Sequence, residues 1–203
     1  MTLLPDISTL QAEATRWRRS LHEKPELLFD VHETARFIEQ KLRDFGCDEV
    51  VTGLGRTGVV GIIHGRKGAG SVVGLRSDMD ALPIEEQTNL PYRSTVPGKM
   101  HACGHDGHMA MLLGAAKYLA ATRNFRGSVA VIFQPAEEGG GGGREMVNDG
   151  LMERFGIRTV FGMHNVPGLP VGHFAIRPGP IMAATAEVDV AVAGPDHGCH
   201  RRG

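Results

Sequence analysis

Ser128-Val129-Ala130-Val131-Ile132-Phe133-Gln134-Pro135-Ala136-Glu137-Glu138-Gly139 is an apolar run that turns, after a proline, into two adjacent carboxylates and then polyglycine. The run is short and rich in β-branched residues, which reads as a buried strand over 128–133. Two more strand-like runs end the same way. Ser71 to Leu75 leads into Arg76-Ser77-Asp78, and Thr159 to Met163 leads into His164-Asn165. A fourth segment, His101-Ala102-Cys103-Gly104-His105-Asp106, stands immediately before a helical pattern. In an open α/β sheet ligands bind at the carboxyl ends of the strands, so these four segments are expected to converge in one crevice.

Working outward, Leu10, Ala14, Trp17 and Leu21 fall at helical spacing after the possible caps Asp6 and Ser8, predicting a first helix that ends before Pro25. A second helix is predicted from Glu33 to Phe45, stopping at Gly46. Strands follow at Glu49 to Thr52 and Thr57 to His64, a helix at Gly107 to Thr122, and a short helix near Arg144 to Asp149. This alternation predicts an α/β fold with a mostly parallel central sheet flanked by helices.

The 203 residues are 41% hydrophobic and 22% charged, enough apolar material for one sizeable core. A formal charge of −1, with no long block of one sign, gives no electrostatic footprint for nucleic acid. The first eight residues lack a basic region followed by an apolar core, and no long uncharged apolar run is present, so the expected setting is cytoplasmic and not membrane-bound. Cys47, Cys103 and Cys199 are odd in number and scattered, which argues against a secreted disulfide framework. Cys47 reads as a small buried apolar group.

Gly53-Leu54-Gly55-Arg56-Thr57-Gly58 matches the dinucleotide pattern G-x-G-x-x-G, with Asp78 20 residues beyond its last glycine. That chemistry needs a helix N-terminus facing the pyrophosphate, whereas Val59-Val60-Gly61-Ile62-Ile63 is strand-like. The glycines are therefore read as turn residues, and a nicotinamide site would require a helix to begin near Gly58. Gly139 to Gly143 lack the Lys-Ser/Thr ending of a P-loop and are read as room for close backbone approach.

Cys103 and His105, two apart in a segment read as extended, would share one side, and thiolate and imidazole both suit zinc. Cys-x-His alone is a weak pattern. The density of His101, Cys103, His105, Asp106 and His108 strengthens it, with Asp106 and His108 read as orienting partners or helix caps. Glu137 and Glu138 repel each other unless a cation offsets them, and adjacent acids can divide metal binding from proton transfer. His164 ends a strand, and its company makes ligation the better reading.

Arg76-Ser77-Asp78-Met79-Asp80-Ala81-Leu82-Pro83-Ile84, Met100 to His108, Pro135 to Gly139 and Gly162 to Asn165 together resemble the aminoacylase/carboxypeptidase-like metallopeptidase family. The match is to its branch of hippurate hydrolases, N-acyl-amino-acid amidohydrolases and auxin-conjugate hydrolases, over about residues 10 to 194. The resemblance implies a zinc-exopeptidase-like catalytic domain holding two divalent metal ions, zinc or manganese, with cobalt and nickel as further candidates. It implies Cys103, His105, Glu138 and His164 as metal ligands, Glu137 as general base, and Asp78 as the active-site aspartate supporting the metals. The implied reaction is hydrolysis of the amide bond of a small N-acyl amino acid by metal-activated water.

Departures from the family pattern set further expectations. Five protein ligands are expected for two bridged metals, and four are assigned; the family's fifth is a histidine far downstream. Residues 1–184 would form the amino-terminal part of the catalytic domain, 185–194 the start of a satellite dimerisation domain, and 195–203 a tail unlike the family's glycine-histidine-rich loop. Early termination, by frameshift or by deliberate cutting, is the expectation at Gly203. The family's homo-oligomers use the satellite domain, largely missing here. The alternative to an enzyme is a non-catalytic metal-binding or assembly fragment.

Overall fold

The computed structural model describes residues 9–180. The chain divides into two units, Met1–Asn165 and Val166–Gly203. In the second, the described residues 166–180 form turns and no helix or strand. The caps expected at Asp6 and Ser8, the strand expected over 186–193, and the boundaries expected at 184 and 194 lie outside the described residues.

The first unit runs α1 (Gln11–His22), α2 (His32–Asp44), β1 (Glu49–Leu54), β2 (Gly58–His64), β3 (Val72–Asp78), α3 (His105–Thr122), β4 (Ser128–Gln134), α4 (Gly142–Asn148), α5 (Leu151–Phe155) and β5 (Ile157–Gly162). The five strands form one sheet in the order β1-β2-β4-β3-β5. β4, β3 and β5 are parallel, while β1 and β2 join antiparallel at the other side, so the expected α/β sheet with flanking helices is a mixed one. The antiparallel pair follows from the short Gly55–Thr57 turn, too short for a crossover. Gly58 opens a strand, and the nicotinamide reading falls with it.

Side chains alternate across the pleat, and both faces are covered. On one face Val59 and Ile63 of β2 and Val131 and Phe133 of β4 pack with Trp17, Leu21, Ile38, Leu42, Met109 and Leu113 from the first three helices. On the other, Val60, Ile62, Ala130 and Ile132 meet Met146, Leu151 and Ile157. The uninterrupted apolar run of β4 is thus explained by burial on both sides. Cys47 packs at the edge of the larger cluster, and burial pushes its thiol up to about 11.

Two local differences have physical reasons. α3 begins at His105, not Gly107, because Gly104 takes a left-handed conformation (φ 91°) that turns the chain into the helix. The helix expected near Arg144 to Asp149 is α4, and a second short helix, α5, which the sequence reading did not give, follows the left-handed Gly150. Polyglycine does allow close approach: a Cβ on Gly142 would lie 1.8 Å from the carbonyl oxygen of Pro135.

Phe133 is fully buried between sheet and helices. Phe133→Ala is expected to lower unfolding free energy by about 3–5 kcal/mol in urea titrations, and a loss below about 1 kcal/mol would contradict this packing.

Candidate metal centre

The parallel strands deliver their ends to one edge. In register, Asp78 of β3 lies opposite Gln134 of β4, and Arg76 lies opposite Gly162 of β5. Past Gln134 the chain bends through Ala136, a buried non-glycine residue at φ 51°, and presents Glu137 and Glu138. Such a left-handed alanine is strained and persists only where its surroundings fix it. Here its N–H donates to Leu28 O at 3.0 Å and its carbonyl accepts from Gly142 N–H at 3.1 Å.

His105, the first residue of α3, is completely buried. Its Nδ1 donates to the backbone carbonyl of Asp80 at 2.7 Å, which leaves Nε2 facing the crevice. Around Nε2 stand Asp78 Oδ2 at 3.6 Å, Glu138 Oε1 at 3.7 Å and Glu137 Oε2 at 3.8 Å. Neither Nε2 nor Glu138 Oε1 has a hydrogen-bond partner despite burial. Leaving such atoms unmade costs roughly 1–3 kcal/mol each. Cys103 Sγ lies 3.4 Å from His164 Nε2. Cys103, His105 and His164 form one group of possible metal ligands, and His105, Glu137 and Glu138 another.

These donors fit a divalent cation. Ligand atoms on a tetrahedral ion with bonds of about 2.0–2.3 Å are about 3.3–3.8 Å apart, close to the separations seen, and too long for the imidazole–carboxylate pairs to be hydrogen bonds. The electrostatics agree. Burial, then the hydrogen bond that the thiol donates to Glu138, the charge of Glu138 and the charges of Glu137 and Asp78 push the Cys103 thiol up to about 12. Burial favours neutral His105, yet the Asp80 hydrogen bond and the Asp78 charge outweigh it and raise its pKa. Neighbouring carboxylates contribute to both shifts, beside burial at Cys103, and a bound cation would offset their charge.

Asp78 is nearly fully buried, and although burial pushes its carboxyl up, the His108 hydrogen bond and the nearby His105 and Arg76 hold it down at about 2. Arg76 Nη1 donates to Asp78 Oδ2 at 2.8 Å, and His108 Nδ1 lies 2.7 Å from Asp78 Oδ1.

The expected shared side of Cys103 and His105 is not that of an extended strand. The left-handed Gly104 and the helix start bring the two donors together instead. His101 stays outside: its buried ring faces that of His22, 6.4 Å between centroids, and burial lowers its pKa to about 4. Asp80 was missed by sequence reasoning. Its carboxylate accepts the backbone N–H of Glu137 at 2.9 Å and of Glu138 at 3.1 Å, fixing the turn that carries both acids. The alternation Asp78-Met79-Asp80 was the available signal, since it places both carboxylates on the same side of an extended chain.

Asp106 faces away from the centre. Its carboxylate meets His22 Nδ1 at 2.8 Å and Arg18 Nε at 3.0 Å, and His22 Nε2 lies 3.2 Å from Glu86. Glu86 in turn accepts from Ser94 N–H at 2.6 Å and from the Thr88 hydroxyl. This buried chain ties α1 and the 86–94 loop to the start of α3, just behind His105.

A half-buried thiol, imidazoles and carboxylates at the parallel strand ends of an α/β sheet make a donor set that fits a divalent cation. The chain belongs to the peptidase family M20/M25/M40, whose family model matches residues 74–200. It is 49% identical over 195 residues to a hippurate hydrolase of Campylobacter jejuni, covering 96% of this chain and 50% of that one. It is 41% identical to an N-acyl-L-amino acid amidohydrolase of Geobacillus stearothermophilus, covering 93% and 50%. Among solved structures, a dinuclear metal-binding peptidase of this family from Bacillus subtilis superposes with a TM-score of 0.76 at 44% identity, over 81% of this chain and 46% of that one. The chain thus spans about half the length of the curated relatives it matches. No helix among the described residues is long and apolar enough to cross a membrane.

The Asp106 hydrogen bond, then its charge and those of Glu86, raise the His22 pKa above its usual 6.5, burial opposing. This stabilisation is complete below about pH 6.5 and is lost as pH rises through the folded-state value. Asp106 and Glu86 are both held below their usual values of 3.8 and 4.5 in spite of burial, so their contribution is lost as pH falls. The contribution of this network is therefore expected to be largest between about pH 4.5 and 6.5 and to decline toward alkaline pH. His22→Gln is expected to flatten the alkaline decline in urea unfolding at about pH 6 and about pH 9; an unchanged decline would contradict the account.

Proposed function

We propose that this chain carries the metal-binding half of an amidohydrolase that cleaves the amide bond of small N-acyl amino acids, hippurate-like substrates included. Cys103, His105, Glu138 and His164 would hold two divalent cations, zinc or manganese, the thiolate favouring a metal softer than magnesium. When bound, the cations supply Lewis acidity toward the amide carbonyl and the attacking water. The observation that carries the reading is His105 Nε2, buried without a hydrogen-bond partner and faced by three carboxylates within 3.8 Å.

Glu137 is the general base in this reading. Its carboxylate, 28% exposed against 18% for Glu138, is the more accessible of the two acids. It takes a proton from water as the oxygen attacks the carbonyl carbon, and returns that proton to the nitrogen as the C–N bond breaks, giving a carboxylic acid and a free amino acid. Asp80 keeps Glu137 and Glu138 in place through their backbone N–H groups, while Asp78, bound to Arg76 and His108, stands beside His105. The names of the hippurate hydrolase and amidohydrolase relatives support the substrate class.

A second reading, a metal-binding or assembly fragment without turnover of its own, rests on the ligand count: the assigned donors are four, one fewer than two bridged cations take. Hippurate hydrolysis by the purified chain, loaded with zinc or manganese, separates the two. Activity that falls about 10²–10⁴-fold in Glu137→Gln, with metal content retained, is the expected result. Wild-type activity in Glu137→Gln would remove Glu137 from its role, and metal binding with no turnover at any metal concentration would favour the fragment.

A further inference from the structure

His164 lies beyond the end of β5, on an exposed stretch of chain, yet its Nε2 stands 3.4 Å from Cys103. Something other than strand pairing has to hold it there. Its own Nδ1 donates to the carbonyl of Asn165 at 2.7 Å, so the orientation of the ring is tied to the next peptide unit. That unit is anchored in turn. His108 Nε2 lies 2.5 Å from the Asn165 side-chain oxygen Oδ1, which accepts from it, and 3.1 Å from the Asn165 backbone nitrogen. His108 is buried, one turn after His105 on α3, and its other nitrogen is fixed by Asp78.

The same amide touches the other metal-binding segment. A Cβ on Gly104 would lie 2.5 Å from Asn165 Oδ1, so the Asn165 side chain fills the place left open by the glycine between Cys103 and His105. One side chain thus meets the link between two proposed ligands and stands next in sequence to a third. The rings of His108 and His164 complete the contact, edge on, with centroids 4.6 Å apart.

We propose that Asn165 is a positioning residue that sets the Cys103–His164 pair for metal binding, with His108 as its post and Gly104 as its seat. The inference rests on the assignment of Cys103 and His164 as ligands. It concerns the geometry of the centre and assigns Asn165 no contact with substrate. Residues that orient metal ligands typically cost 10–100-fold in metal affinity when removed.

The test uses the full chain and two readouts of the metal itself: zinc affinity by chelator competition, and the thiolate-to-metal charge-transfer absorption of the cobalt-loaded protein. Asn165→Ala is expected to weaken zinc binding about 10–100-fold and to diminish the cobalt–thiolate band, while urea unfolding of the metal-free protein changes little. Asn165→Asp, which keeps the shape and reaches His108 through a carboxylate oxygen, is expected to recover most of the loss. Should Asn165→Ala fail to fold, Asn165→Gln, whose amide is displaced by one methylene, carries the same expected loss. Wild-type affinity and spectrum in Asn165→Ala, or in Asn165→Gln in its place, would overturn the proposal. Cys103→Ser serves as the control on the underlying assignment. A band lost in Cys103→Ser but intact in the Asn165 variants defeats only the positioning role, whereas a band that survives Cys103→Ser defeats the ligand assignment and the proposal with it.

Discussion

The parallel alignment of β4, β3 and β5 is the constraint from which the rest of the centre follows. Because the three strands point the same way, Asp78, the Glu137–Glu138 turn and His164 arrive at one edge of the sheet without any of them being near another in sequence. α3 then starts at that edge and inserts His105 among them, its Nδ1 committed to the Asp80 carbonyl and its Nε2 left to the crevice. The apolar clusters on the two faces hold this arrangement rigid, and the strained Ala136 is tolerated because its backbone is bonded on both sides. Sheet topology supplies the convergence, and packing supplies the precision that metal ligation requires.

Charge is the second consequence. Asp78, Asp80, Glu137 and Glu138 crowd around a single imidazole, and Arg76 is the guanidinium bonded among them. Carboxylates so placed raise the pKa of a neighbouring thiol or imidazole, and both responses are present at Cys103 and His105. The polar chain behind α3 has the opposite character. There Asp106, His22, Glu86 and Arg18 satisfy one another, so the network braces the helix start.

Much of this was legible in the sequence because burial writes itself into residue pattern. The run 128–133 announced β4 through its β-branched density, and the strand ends announced the crevice through residue types that are costly unless they serve chemistry. Asp80 escaped because its role is to accept two backbone N–H bonds from a turn 57 residues away, and no local pattern encodes that partner. Asn165 escaped for a similar reason: its meaning depends on Gly104 and His108, which only the fold brings to it. The start of α3 was misplaced by two residues because a left-handed glycine lets a helix begin without a side-chain cap. The antiparallel side of the sheet was set by the length of the turn between β1 and β2, while the alternation of elements spoke only for the parallel part.

Zinc K-edge X-ray absorption on the zinc-loaded chain tests most directly the claim that these strand ends form one sulfur-containing cation site. The account predicts a shell with one sulfur at about 2.3 Å and nitrogen or oxygen donors at about 2.0–2.1 Å. A shell of nitrogen and oxygen alone would contradict it, since Cys103 would then stand outside the centre that the sheet assembles.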